Sequence, residues 1–424
     1  MDAQDRASAD EWLSSRNDVM TVYRDAVDDD RDHLFPLRYV RAGYESDYPP
    51  IMILPGGPGV ASVFPYELVR RLGASKGMDI LMMEHRGVGM SRSDARGTDL
   101  PLDAMRVNAV LEDMLAVLDH ARIEKAVLYG TGYGGYLAQR FALAHPDRVH
   151  SLVLDSPFTS VADEAAQQHA LRSLFWYGEN DRTESVARVI RRLVEDGTIP
   201  VEESGPVIAA VHQYGGLSSV RDIVDLLVLS RGRLTWTSVY QALAATEALP
   251  STPFVLERDL VDRIASTELG FGHLADGRPL DPLALTALRA KEYEPFAGEA
   301  FDLERERTAI TAPTLVITGE RDLMIPASRS RLAAEQIPGA RFLSVPGLGH
   351  SLLDSHAQLA LMAAMWTAAG AIDPFLEKDT SSLKRIPVNE LIARGITAAL
   401  LAERHSPVRL WAGRRRGPLP PLRS

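Results

Sequence analysis

An apolar run, Ala126-Val127-Leu128-Tyr129, enters a turn that holds Gly130, Gly132, Gly134 and Gly135, and the chain leaves that turn with a helical pattern. Few folds accommodate such a stretch. An apolar run without polar alternation reads as a strand buried on both faces. The closely spaced glycines permit a sharp reversal that side chains would obstruct. Beyond it, Leu137 and Phe141 share one helical face, and Pro146 stops the helix at His145. Residues Tyr129–Ala138 therefore predict strand, tight turn and helix in immediate succession.

The flanking sequence repeats the theme. Leu37-Arg38-Tyr39-Val40, Ile51-Met52-Ile53-Leu54, Ile80-Leu81-Met82-Met83 and Leu152-Val153-Leu154 read as strands. Helices are expected around Pro65–Leu72 and along the apolar face made by Val107, Val110, Leu111, Met114, Leu115 and Leu118. Strands alternating with helices argue for a doubly wound, mostly parallel sheet, here of about eight strands. From about Phe158 to Arg305 the pattern is helical, for example over Val186–Leu193, Val220–Leu229 and Val239–Ala248. The strand rhythm returns at Thr314–Thr318 and Arg341–Val345, and a helix at about Gln358–Ala368 closes the core. The expected division is a core in two parts, 1–157 and 307–372, a helical lid over 158–306, and an extension, 373–424, with one amphipathic segment, Val388–Leu401. The first 45 residues are polar and weakly periodic. An insertion between sheet strands would cover the sheet edge where ligands bind in open α/β folds.

Composition narrows the function classes. The net charge of −11 over 424 residues disfavours a nucleic-acid or membrane partner. The one basic stretch is the tail, Arg404, Arg409, Arg414, Arg415, Arg416 and Arg423, which reads as a solvated end. With no cysteine, thiolate metal sites, disulfides and a cysteine nucleophile are excluded. No metal or cofactor is expected. The acidic N-terminus has no apolar segment of the secretory kind, so a cytoplasmic protein is the expectation. The partner expected is a small molecule or short peptide, and the oligomeric state is left open.

Short motifs stand at the strand ends: Pro55-Gly56-Gly57-Pro58-Gly59; Glu84-His85-Arg86-Gly87-Val88-Gly89-Met90-Ser91; the glycine turn itself; Asp155-Ser156-Pro157; Gly319-Glu320-Arg321-Asp322; and Gly347-Leu348-Gly349-His350. In this order they resemble the α/β-hydrolases of the prolyl iminopeptidase and tripeptidyl-aminopeptidase-like group. The resemblance covers roughly residues 50–157 and 310–370. It implies acyl transfer, with nucleophile, acid and histidine arriving in that order. Asp322 and His350 stand at the acid and base positions. Asp155, at the end of another strand, is the second candidate acid and is otherwise expected to begin the lid. Oxyanion donors would be the backbone N–H groups of Tyr133, just after the turn apex, and of Gly57. The family loop opens with histidine where this chain has Pro55. Arg86 is expected to form an internal ion pair.

The family's elbow reads G-x-S-x-G. Gly130 and Gly134 fill its outer positions, but Gly132 stands where the serine belongs. Three readings follow: a serine hydrolase whose nucleophile has been removed; an enzyme in which a His350–Asp322 dyad serves as general base to a water or a substrate proton; or a binding protein without catalysis. Thr131 lies one position before the apex, so its side chain should point elsewhere. Aminopeptidases of the resembled group hold a free amine with lid acids, and Glu247 is the candidate for that role, a solvated helix charge being the plainer alternative. Trp176, Tyr177, Trp236 and Tyr240 could line an apolar pocket or simply pack the lid.

Overall fold

The computed structural model describes residues 3–27, 34–44, 46–248, 251–379 and 387–405. The strands are β1 Val19–Asp25, β2 Leu34–Ala42, β3 Ile51–Leu54, β4 Ile80–Met83, β5 Ala126–Thr131, β6 Val149–Asp155, a two-residue pair β7 Ser251–Thr252 and β8 Leu256–Glu257, then β9 Thr314–Gly319 and β10 Arg341–Val345. Eight of them form one sheet in the order β1-β2-β4-β3-β5-β6-β9-β10. β1 and β2 pair antiparallel, as do β2 and β4, and every other neighbour is parallel.

The buried strands show why apolar runs were needed. Ile51 and Ile53, Ile80 and Met82, and Val127 and Tyr129 point into one core layer. Their neighbours Met52 and Leu54, Leu81 and Met83, and Ala126 and Leu128 point into the other. Alternate residues of a strand face opposite sides, so a sheet covered on both faces needs apolar side chains throughout. Helices Val107–His120 and Tyr133–Ala144 contribute to the layer of Met52 and Leu54, and helices Glu67–Ala74 and Ala357–Ala368 to the opposite one. Each fully buried leucine-sized side chain contributes about 1.5–3 kcal/mol.

Between β6 and β9 the chain is mainly helical, with helices Ala162–Arg172, Glu184–Glu195, Val201–Val228 and Arg233–Ala248. These build a separate apolar cluster around Trp236, whose indole N–H donates to Glu203 at 2.7 Å. The long helix bends at Gly216, where φ is 69° and ψ −170°. The amphipathic segment expected near the C-terminus is helix Pro387–His405, and its Ile396 and Leu400 are buried in the insertion's cluster. The basic tail beyond His405 lies outside the described residues. Two elements near the N-terminus, helix Ala3–Ser14 and β1, were not expected from the sequence.

The sheet order reverses between β3 and β5, which lie side by side although β4 intervenes in sequence. Loops at such a reversal diverge and leave a crevice at the carboxyl ends of the strands. The glycine loop after β3 and the turn after β5 flank it.

Candidate active site

The turn after β5 is held by contacts that only glycine allows. A β-carbon on Gly130 would sit 2.2 Å from the Gly134 carbonyl oxygen, and one on Gly134 would sit 2.1 Å from that of Leu54. Gly132 is different. Its φ is 51° and ψ −117°, a strained region for residues with side chains, yet space is available. A β-carbon there would meet His350 Nε2 at 3.4 Å and Gly56 Cα at 3.8 Å, both ordinary contacts. The Gly132 N–H donates to the Asp155 carbonyl at 3.0 Å, and its own carbonyl accepts from Gly135, Tyr136 and Phe158.

His350 arrives on the loop after β10. That loop is joined to the loop after β9 by hydrogen bonds from Glu320 N to Val345 O, 3.0 Å, and from Arg321 N to Leu348 O, 2.8 Å. This pairing brings the two expected residues together: His350 Nδ1 lies 2.9 Å from Asp322 Oδ2. Asp322 Oδ1 accepts from the backbone of Met324 and Ile325, so the carboxylate has no freedom to turn. Because a carboxylate accepts, Nδ1 carries the proton, and Nε2 is left basic beside Gly132. Burial works against a charged ring, but the Asp322 carboxylate outweighs it, and the imidazole pKa stands above its ordinary value.

Tyr133 is the first residue of helix Tyr133–Ala144, so its N–H has no partner within the helix. Its phenol is held from below. His85 Nδ1 lies 2.6 Å from the Arg86 carbonyl, which fixes the proton on Nδ1, and His85 Nε2 then accepts from the Tyr133 hydroxyl at 3.2 Å. Burial depresses the His85 pKa to about 4, so the ring stays neutral. Arg86 forms a buried two-pronged pair with Asp113, both contacts at 2.7 Å.

Gly57, Gly132, Tyr133 and His350 line one cavity of about 470 Å³, roofed by the insertion. Glu247 lines it too, but its two oxygens lie 3.1 Å from Arg258 Nη1 and 3.0 Å from Arg289 Nε, so it faces two cations already. Asp262 lies 3.3 Å from Arg289 on the same wall, and burial raises its carboxyl to about 6. Sequence reasoning missed Glu164, another lining residue, which accepts from Gly272 N at 2.6 Å and is pushed up to about 7 by burial. A charge in the first turn of a helix carries no signal that would have distinguished it. Trp176, Tyr177, Trp236 and Tyr240 are absent from the lining. Thr131 Oγ1 is buried within β5, away from the cavity.

The glycine loop is also tied to the insertion. Ala61 N donates to Val255 O at 3.0 Å and Glu257 N to Gly59 O at 2.8 Å. The Glu257 side chain, fully buried, receives Arg6 at 3.0 Å and the N–H of Phe254 at 2.7 Å.

Residues 49–196 match a family described as alpha/beta hydrolase fold. The chain has the α/β-hydrolase fold. Proteins similar to this α/β-hydrolase-fold chain include one named Probable proline iminopeptidase, from Leptolyngbya boryana, 22% identical over 74% of this chain and 85% of the relative. Rhodomycin D methylesterase DauP, from Streptomyces sp. (strain C5), is 25% identical over 76% of this chain and 92% of the relative. The crystal structure of an alpha/beta hydrolase from Novosphingobium aromaticivorans aligns at 18% identity over 84% of this chain and 99% of that one, with a TM-score of 0.46. No helix among the described residues is long and apolar enough to cross a membrane.

Proposed function

We propose that the cavity beneath the insertion is a site for hydrolysis of an ester, amide or peptide bond, in which His350 is the general base. The observation that carries this reading is the orientation of His350: Nδ1 is fixed by Asp322 and Nε2 faces the elbow apex. With Gly132 at the apex, no acyl-enzyme can form, because no side-chain oxygen or sulfur is present to bond the acyl carbon. The step left to the chain as it stands is water attack. Nε2 takes a proton from water, the oxygen bonds to the carbonyl carbon, and the oxyanion is received by the N–H groups of Tyr133 and Gly57. Collapse breaks the bond to the leaving group, which takes the proton back from His350. Asp322 stabilises the imidazolium between these events.

A second reading is favoured by one contact. The β-carbon tolerated at Gly132 lies where a serine hydroxyl would reach Nε2, while the neighbouring glycines tolerate none. On that reading the chain is a serine hydrolase scaffold lacking its nucleophile, and the serine aminopeptidase activity of the group it resembles returns with Gly132→Ser. The ion pairs around Glu247 leave it less suited to a free amine than an unpaired acid would be. Glu164 lines the same cavity without a cation partner, but its oxygens accept from the backbone of Gly272 and Leu274, so an amine there would share a carboxylate already engaged.

The test is hydrolysis of methyl esters, aryl esters and proline anilides by the chain, by His350→Ala and by Gly132→Ser. Ester turnover lost in His350→Ala supports water activation by His350. Turnover only in Gly132→Ser, blocked by a fluorophosphonate, supports the second reading. Turnover unchanged in His350→Ala overturns both.

A further inference from the structure

We propose that Asp155 is a positioning residue that fixes the spacing between the elbow apex and His350. The proposal rests on the reading of His350 as the base. Asp155 ends β6, is fully buried and does not line the cavity, so it touches no substrate. It holds both halves of the site at once. Its backbone carbonyl accepts the N–H of Gly132 at 3.0 Å, the apex itself. Its side-chain Oδ2 accepts the N–H of Leu353 at 3.0 Å, three residues after His350. The same oxygen accepts the Tyr129 hydroxyl at 2.8 Å, three residues before the apex.

The loop between His350 and Leu353 needs such an anchor. Ser351 has a φ of 63°, which a residue with a side chain adopts only when its surroundings enforce it. The following turn, Leu352–Ser355, is four residues long and cannot fix its own direction. Asp155 pins its start to β6, while Asp322 pins the ring. The next residue, Ser156, binds Ile317 O through its N–H at 2.7 Å, which joins the same strand end to β9 and the loop that carries Asp322. Apex, base and acid are thus referred to one strand end. A buried carboxylate is a demanding choice for this task, and its Oδ1 has no hydrogen-bond partner. An apolar residue there would leave the Leu353 N–H and the Tyr129 hydroxyl without their acceptor, so the carboxylate acts through the groups it holds and through its field at His350.

The experiment uses two full-length backgrounds. In Gly132→Ser, fluorophosphonate labelling reports nucleophile, base and oxyanion donors without requiring a known substrate. Adding Asp155→Asn keeps the size and one acceptor but puts donors where donors already point. Labelling should slow at least tenfold, because small displacements of a base act strongly on rate. In the chain with Gly132, selective ¹⁵N-histidine labelling, assigned with His350→Ala, should show the His350 ring resonances moved and its pKa lowered by Asp155→Asn. Slower labelling with an unmoved His350 signal overturns the proposal, as does labelling within twofold of the parent. Should Asp155→Asn fail to fold, Tyr129→Phe removes one of the two donors to Oδ2 and is read by the same two measurements. A Gly132→Ser protein that takes no label at all refutes the acyl-transfer geometry proposed above, and the histidine spectra then decide the role of Asp155 alone.

Discussion

At Gly132 a single missing side chain separates an elbow from a nucleophile elbow. The backbone there, at φ 51° and ψ −117°, already has the conformation a catalytic serine would be forced into. Gly132→Ser is therefore expected to lower unfolding stability by about 1–3 kcal/mol while making fluorophosphonate labelling possible. Denaturant melts and labelling of the same preparation check both; a serine variant more stable than the parent would refute the elbow geometry. His350 adds a pH prediction. Its pKa stands above the ordinary histidine value, and a general base works only when neutral. Turnover should fall as pH drops through that raised pKa, so the acid limb lies above about 6.5 rather than below it. A limb at pH 5 would mean that a group other than His350 limits the rate.

Among elements, the strand–turn–helix of β5 and its helix is the least tolerant. Gly134→Ala drives a β-carbon against backbone, which cannot give way as a side chain would. We expect a loss at the upper end of, or beyond, the usual overpacking range of about 1–3 kcal/mol, measured by equilibrium unfolding. Much of this element was legible in the sequence, because its glycines and apolar run admit few alternatives. The same holds for β3, β4 and β9, whose runs are unbroken because both sheet faces are covered. β1 was not legible. It is an edge strand with half-buried residues and charges at Arg24 and Asp25, so no periodicity marks it. In the site, Asp322 and His350 could be found because loop chemistry and chain order point to them. His85 and Glu164 could not, since their roles arise only when distant segments fold against them: His85 beneath Tyr133, and Glu164 on the N–H of Gly272.

Over the whole molecule, burial sets an unusual stability profile. It pushes Glu84 and Glu164 up to about 7, and Asp155 and Asp262 up to about 6. For an acid raised in the folded state, stability is full below its unfolded pKa and is lost as pH rises through the folded value. His85 and His212 are depressed to about 4 by burial, so they withdraw stability as pH falls below the ordinary histidine range. Between about pH 4.5 and 6 the four acids outnumber the two histidines, and above about 6.5 only the glutamates of this set still titrate, so stability should fall as pH rises from about 4.5 to about 7. Thermal midpoints taken from about pH 4.5 to about 7 check this, and a midpoint that rises across that range would contradict it. One contact reaches further than its size suggests. The two hydrogen bonds that join Gly59 and Ala61 to Glu257 and Val255 make the glycine loop and the insertion a single linkage, like a crank on a shaft. Any displacement of that segment would be passed to the loop that carries Gly57. On the reading proposed above, the loop that supplies the oxyanion donor Gly57 is thereby held by the same insertion that roofs the cavity. The insertion is for the same reason no interchangeable part: a chimera cut on either side of Glu257 would strand both ends of the crank.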